Sequence, residues 1–138
     1  MKNKILSLGA AALLFASCSS DDSGSSIDQS LLQRKWYQVS YSIDGEEFPY
    51  DDHEECGKDY IQFLTGNVFK SVDVFGCVED VETGTYSVSG NKITVTVDGE
   101  ADKATVAELT ETTLKVKMTV DYDDDGSKET IIETYSAQ

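Results

Sequence analysis

The side chains that commonly carry catalysis are sparse in this chain of 138 residues. Its one histidine, His53, lies among the carboxylates of residues 51–55. No serine stands in the turn sequence of a nucleophile elbow, and no spacing of Ser, His and Asp indicates a catalytic triad. We interpret His53 as a solvated loop residue. The sequence therefore predicts a protein that is not an enzyme and needs no cofactor.

One group of carboxylates has the spacing of cation ligands. Asp121, Asp123 and Asp125, followed by Gly126, match the first half of a calcium-binding loop, with Asp at positions one, three and five and Gly at six. Position twelve is Ile132 rather than an acid, and the flanking segments read as strands, which excludes a helix–loop–helix. We interpret the group as a hairpin turn with solvated acids, so these three residues are a weak candidate and no metal site is predicted.

Cys18 directly follows the N-terminal segment of residues 1–17, whose composition has a recognisable pattern. Residues 1–17 have a basic start, an apolar run over residues 5–15 and small residues at the end, which is the pattern of a secretory signal peptide. Eleven residues of helix cover only ~16 Å, too little for a transmembrane span. Phe15-Ala16-Ser17-Cys18 resembles the lipobox of bacterial lipoproteins, in which a diacylated cysteine becomes the first residue. This resemblance implies a membrane anchor at Cys18, and a signal peptide cut elsewhere, with loss of Cys18, is the alternative.

Residues 18–29 read as a tether between the lipid and the folded domain. The run from residue 19 to 26 contains only Ser, Asp and Gly and is typical of a flexible polar linker. Its Ser-Ser-Asp-Asp start resembles the surface-export signal of Bacteroidetes lipoproteins, and a generic solvated linker fits as well. We expect a protein anchored in the bacterial outer membrane, periplasmic or surface-exposed, with one folded domain over residues 30–138.

The charge of the chain restricts its partners. The formal net charge is −15, and removal of a signal peptide with its two lysines makes it −17. Such a protein repels phosphate backbones and anionic headgroups, so we expect no nucleic-acid partner and membrane attachment through the lipid alone.

The two cysteines other than Cys18 form an even pair. In an exported protein, Cys56 and Cys77 are therefore predicted to form a disulfide. A metal site made from these two cysteines and His53 has no recognised spacing.

From residue 31 onward the chain reads as short strands and turns. Val and Thr are abundant, and no long stretch has helical periodicity, although a helical turn is expected at residues 29–33 with Asp28 as its cap. Acidic loops are expected at residues 45–56 and 76–82. Eight strands are predicted, at residues 37–43, 60–64, 68–75, 85–88, 93–97, 104–109, 114–122 and 130–135. Short turns make neighbouring strands antiparallel, and closure into a barrel removes both exposed edges, with a two-sheet sandwich as the alternative.

Several phrases of the sequence resemble one family. Residues 31–37, Leu-Leu-Gln-Arg-Lys-Trp-Tyr, resemble the opening of lipocalin-like domains, where a helical turn leads into Gly-x-Trp, and Arg34 stands in place of that Gly. Residues 84–88, 91–95 and 107–114 are similar to later strands of the same group. Over about residues 30–136 the chain resembles the small lipocalin-like lipoproteins of Bacteroidetes. The resemblance implies an eight-stranded up-and-down barrel with Trp36 plugging one end, and it implies little about a ligand.

The barrel interior is the remaining candidate site. Apolar residues alternate with polar ones on two predicted strands, so they share the inner face. The predicted lining is Trp36, Ile93, Val95, Val97, Leu114, Val116, Met118 and Val120. A barrel of about eight strands is either filled by side chains or holds one small ligand, and the sequence leaves both open.

Two non-enzymatic functions follow from these features. The first is a binding protein that holds a small apolar or amphipathic ligand in the barrel or at its mouth. The second is a surface scaffold with a filled barrel, whose acidic loops dock a protein or glycan partner. An interior volume above ~300 Å³ would favour the first function.

Overall fold

The computed structural model describes residues 26–137. Within this range, the chain contains one short helix, a 3-10 turn at Thr65–Asn67 and nine strands. The elements are α1 Gln29–Leu32, β1 Lys35–Ile43, β2 Glu46–Pro49, β3 Tyr60–Leu64, β4 Val68–Phe75, β5 Val78–Ser89, β6 Lys92–Val97, β7 Glu100–Leu109, β8 Thr113–Val120 and β9 Glu129–Ser136. No helix among these residues has both the length and the apolar character needed to cross a membrane.

Eight of the strands close into an antiparallel barrel. Each strand from β3 to β9 pairs with the next, and β1 pairs with β3 on one side and with β9 on the other. The β1–β9 register runs from Tyr37 opposite Ser136 to Ile43 opposite Ile131. The predicted up-and-down barrel is confirmed, because a two-sheet sandwich would not join the first strand to the last.

Strand β2 lies where the sequence predicts an acidic loop, so that prediction is wrong in part. Asp44 and Gly45 both have positive φ angles, 49° and 92°, which is the conformation of a tight two-residue hairpin turn. The turn folds Glu46–Pro49 back onto the second half of β1. As a result β2, rather than β3, covers that part of the edge of β1.

Strands β5 and β8 also differ from their predicted bounds. The loop predicted at residues 76–82 is strand from Val78 onward, because the acidic residues there pair with β4 on an exposed extension of the hairpin. Strand β8 ends at Val120, and Tyr122 lies beyond it with 58% of its surface exposed. Turn residues follow Val120, and the pairing with β9 stops opposite Glu129.

One end of the barrel is closed by Trp36. Its side chain is fully buried together with Leu32 and Leu114, and its indole Nε1 donates to the carbonyl oxygen of Leu32 at 3.0 Å. The guanidinium of Arg34 lies 5.6 Å from the indole ring and donates to the carbonyl of Glu111 on the β7–β8 turn. Arg34, which replaces the expected glycine, thus ties this closed end together.

The helical turn begins as predicted, and the packed domain begins slightly earlier than residue 30. The Asp28 carboxylate accepts from the Ser30 hydroxyl at 2.6 Å and from the Ser30 backbone N–H at 2.9 Å, and these hydrogen bonds lower the pKa of Asp28. Ile27 is buried in the core, and its N–H donates to the carbonyl of Gly90 at 3.2 Å. Ile27 and Asp28 therefore belong to the domain rather than to the tether predicted for residues 18–29.

Candidate functional site

The open end of the barrel contains a cavity of about 790 Å³. Six of the eight predicted lining residues border it: Ile93, Val95, Val97, Val116, Met118 and Val120. Trp36 and Leu114 do not, because both lie in the packed layer at the closed end. The barrel is therefore filled by side chains at its closed end and hollow at its open end.

Aromatic residues that the sequence analysis did not select form the bottom of the cavity. Phe63 and Phe69 border it, with ring centroids 5.4 Å apart, and Phe63 also meets the ring of Tyr86 edge-on at 5.0 Å. Ile61 and Tyr135 add to the lining. Tyr135 lies between polar residues on β9, so the period of two could have identified it. Phe69 could not be identified in this way, because the opposite face of β4 carries Val68, Val72 and Val74.

The upper part of the cavity is acidic. Glu82 and Glu133 lie on its wall, and Asp98, Glu100 and Asp102 border its rim. Glu133 alternates with the buried residues Ile131 and Tyr135 on β9, which directs it inward. The sequence analysis missed these acids because it assigned only apolar residues to the interior.

Glu133 has a defined partner inside the barrel. The hydroxyl of Tyr135 donates to the Glu133 carboxylate at 2.6 Å. Burial and the neighbouring carboxylate of Glu133 hold the pKa of Tyr135 well above its usual value, so the hydroxyl keeps its proton at neutral pH. The half-buried carboxylate of Glu133 lies opposite Val116 on β8, next to the apolar part of the cavity.

A second cavity of about 720 Å³ lies where the barrel wall splits. Strands β1 and β3 pair only from Lys35 to Tyr37, after which the chain over residues 50–59 occupies the space between the two strands. Both cavities are bordered by Ile61, Ser71 and Tyr135. The cavity at the mouth and the cavity at the side of the barrel are therefore neighbours that share part of their lining.

A buried carboxylate fixes the segment that fills the split. Asp59 is 7% exposed and accepts from the Tyr50 hydroxyl at 2.6 Å and from the backbone N–H of Val74 at 2.7 Å. Burial, followed by the hydrogen bond to Asp59, raises the pKa of Tyr50. Tyr50 therefore stays protonated and holds the segment against β4.

His53 belongs to the same support and is not the solvated residue that we expected. Its Nδ1 accepts from the backbone N–H of Asp59 at 3.1 Å, and its Nε2 lies 2.8 Å from the carbonyl oxygen of Gln38. A nitrogen that accepts an N–H carries no proton, so the proton lies on Nε2 and is donated to Gln38. Both nitrogens serve the loop, and neither is free for catalysis.

The predicted disulfide between Cys56 and Cys77 is confirmed, with the two Cα atoms 5.7 Å apart. It joins the segment over residues 50–59 to the β4–β5 turn. Glu54 supports the same junction, because its carboxylate accepts from the N–H groups of Gly76 and Cys77 at 2.7 and 2.8 Å. The side wall of the second cavity is thus fixed covalently.

Apolar residues are exposed at the tip that this disulfide holds. Phe75 and Val78 flank the β4–β5 turn and are 82% and 68% exposed. Val81 follows on β5 with 47% exposure. This tip is the most apolar part of the exposed surface at the open end.

The acidic β8–β9 connection lies apart from both cavities. Carboxylate oxygens of Asp121, Asp123 and Glu129 lie within 4.8 Å of one another. Asp125 instead accepts from the N–H of Ser127 at 2.7 Å, and this bond lowers its pKa. The structure therefore groups Glu129, rather than Asp125, with the other two candidates, and a metal role stays a prediction. Cys18, the predicted lipidation site, lies outside the described residues.

A closed eight-stranded barrel with one plugged end and one hollow end has the architecture of barrels that hold small molecules. Residues 32–116 match the model of the lipocalin-like domain, and the chain belongs to this family. No curated protein sequence matches the chain.

Solved structures share this fold. A lipocalin-like protein from Bacteroides uniformis ATCC 8492 is 15% identical with a TM-score of 0.58, and the likeness covers 78% of this chain and 99% of that one. An uncharacterized protein from Bacteroides eggerthii DSM 20697 is 13% identical with a TM-score of 0.57, over 78% and 99% of the two chains. At these identities the likeness supports the barrel and says nothing of the ligand.

Proposed function

We propose that this chain is an exported, lipid-anchored binding protein that holds a small apolar or amphipathic molecule in its barrel. The observation that carries the proposal is the unfilled cavity of about 790 Å³ above the Trp36 layer. Small-molecule sites typically have volumes of about 300–1,000 Å³ and apolar walls with a few polar groups. The cavity has this size, an aliphatic and aromatic bottom, and its charged residues on the upper wall and rim.

A fluorescence titration with N-phenyl-1-naphthylamine tests this function. This apolar dye brightens when it leaves water, so a saturable rise in emission measures binding. Ala104 borders the cavity on β7, and Ala104→Trp places a large ring inside it. Ser87 is exposed on β5 next to the buried Tyr86, so Ser87→Trp is a matched control outside the barrel. We expect Ala104→Trp to lower the affinity for the dye by about tenfold or more and Ser87→Trp to leave it unchanged. Equal affinities in all three proteins would contradict a binding cavity.

The proposed anchor rests on the lipobox-like residues before Cys18. Ile27, the first buried residue, lies at the closed end beside Gly90, whereas the cavity lies at the opposite end. A lipid anchor at Cys18 would therefore leave the cavity directed away from the attachment point. Cys18→Ser should release a soluble protein or block processing. Normal maturation and membrane fractionation of this variant would contradict the lipoprotein assignment, and the choice between periplasm and cell surface follows from protease accessibility on intact cells.

The exposed tip favours a second candidate function, docking of a surface protein or glycan. Phe75 and Val78 project from the acidic open end on a disulfide-fixed turn. Aromatic residues in fixed positions are common anchors of interfaces. If docking is the function, Phe75→Ser should abolish partner binding and leave the dye affinity unchanged.

A further inference from the structure

We propose that the cavity selects cationic amphiphiles, molecules with an apolar tail and an organic ammonium head, and that Glu133 contacts the head. This inference rests on the proposed binding function and adds the chemical class of the ligand. It is carried by the division of one cavity into an apolar bottom and an acidic upper wall.

The two parts of the cavity meet at Glu133. Val116 lies opposite Glu133 on the paired strand β8, and Tyr135 lies two residues further along β9. Both residues border the apolar part of the cavity. Its carboxylate already accepts one hydrogen bond, from Tyr135, and a carboxylate can accept several. A head group at this point would have its tail among Phe63, Phe69 and the valines of β6.

The negative charge of the whole chain is concentrated around the mouth. The segments at the open end are residues 44–59, 73–82, 98–103 and 121–133, and they hold 21 of the 26 carboxylates of the sequence. They contain only three lysines, Lys58, Lys103 and Lys128. A cleft lined by charge of one sign focuses the field and raises the local concentration of counter-ions. The mouth therefore attracts cations and repels fatty-acid carboxylates.

The carboxylates that border the cavity form no ion pair within the described residues, although Lys103 also borders the cavity. Over residues 26–137, the contact between Lys115 and Glu108 is the one lysine–carboxylate ion pair within 4.0 Å, and it lies on the β7–β8 wall outside the lining. Asp73, which borders the side cavity rather than the main one, is likewise crowded by acids: desolvation and repulsion by Asp59 and Asp80 raise its pKa. A bound ammonium ion would supply the missing positive charge.

Two tyrosines that border the cavities add to the preference for an organic cation. Tyr135 borders both cavities, and Tyr50 borders the side cavity. Quaternary ammonium groups bind the faces of aromatic rings, which adds to their attraction to carboxylates. An inorganic cation would use neither the rings nor the apolar bottom, so the structure favours an organic cation with a tail.

Competition for bound N-phenyl-1-naphthylamine tests the charge preference. The competitors are dodecyltrimethylammonium, dodecanoate and tetramethylammonium, the first two with equal tails and all below their micellar concentrations. We expect the dissociation constant of the ammonium amphiphile, measured by displacement of the dye, to be at least about tenfold lower than that of dodecanoate. The dissociation constant of tetramethylammonium should be far higher than either. The preference should shrink as salt rises from about 20 mM to about 500 mM, because salt screens the charges of the mouth.

Two variants with the same change in net charge locate the preference. Glu133→Gln keeps a hydrogen-bond acceptor for Tyr135 and removes the interior charge. Glu111→Gln removes one charge from the β7–β8 turn at the closed end. We expect the preference to fall to within about threefold in Glu133→Gln and to stay unchanged in Glu111→Gln, with equal dye affinity in both.

The outcomes separate this inference from the proposed function. If the dye binds but the protein shows no preference for the ammonium amphiphile, the inference is overturned and the binding function stands. The same holds if both variants lose the preference to the same extent. Failure of the dye and of all amphiphiles to bind overturns the binding function as well. Displacement by tetramethylammonium as effective as by its dodecyl analogue would also overturn the inference, because the tail would then contribute nothing.

Discussion

Replacing Cys56 and Cys77 by serine should destabilise the domain by about 3 kcal/mol. The bridge spans 21 residues, and in the chain-entropy model a loop of that length restricts the unfolded chain by about this free energy. Both cysteines are exposed, so the substitutions leave no cavity and the change reports the cross-link itself. For a domain of this size the melting temperature should fall by about 10–15 °C.

Urea unfolding followed by tryptophan fluorescence is a suitable assay, because Trp36 is fully buried. Reduced wild-type protein should unfold at the same midpoint as the double variant, which is the internal control. The dye affinity should change little, since Glu54 and Asp59 still hold the segment over residues 50–59 to its neighbours. A loss of unfolding free energy below about 1 kcal/mol would refute the view that this bridge restricts the unfolded chain.

Three further outcomes follow from burial and close contacts. Leu114→Ala should lower the free energy of unfolding by about 2–5 kcal/mol, because Leu114 is fully buried. Lys117→Ala on the outer face should change it by only about 0.5 kcal/mol. Equal shifts in melting temperature for the two variants would contradict the assignment of inner and outer faces. Gly84→Ala should prevent normal folding or lower the melting temperature strongly, since a Cβ there would collide with the Thr96 carbonyl oxygen and lie 2.8 Å from Val97 Cγ2, and near-wild-type melting would contradict this. Calcium should bind to the Asp121 turn only weakly, and a calorimetric Kd below about 10 μM would show that a true site exists.

The barrel could be predicted because its strands follow the period of two closely. On β8, Leu114, Val116 and Met118 alternate with Lys115 and Lys117, and the structure turns the first set inward. Turn residues between such strands leave antiparallel neighbours as the simple solution. The local pattern therefore predicted an antiparallel all-β domain. The choice of a barrel over a two-sheet sandwich rested on closure of the sheet edges and on the resemblance to lipocalin-like domains.

Strand β2 was missed although its strongest signal was present. Asp44-Gly45 is a dipeptide that favours a tight hairpin, but the following Glu46 and Glu47 are depleted in strands, and Pro49 limits them further. Pairing with the edge of β1 outweighs these propensities. Such tertiary pairing cannot be read from the segment itself.

The candidate site was only half predictable. Apolar alternation on β6 and β8 identified Val95 and Val116, which border the cavity. It gave no reason to place Glu133 inside, because a carboxylate at an inward position is costly unless the interior is open to water. Whether the barrel is hollow depends on how far the Trp36 layer fills it, and that is a property of packing rather than of pattern.

Methyl NMR spectra recorded with and without dodecyltrimethylammonium test the central claim most directly. If the ligand enters the barrel, the methyl signals of Ile61, Ile93 and Val97 should shift with a saturable dependence on concentration, because these residues border the cavity. The exposed methyl groups of Val39 and Val78, 48% and 68% exposed, should stay unchanged. Shifts confined to Val78 and its neighbours, with the interior signals unmoved, would contradict a ligand-binding barrel.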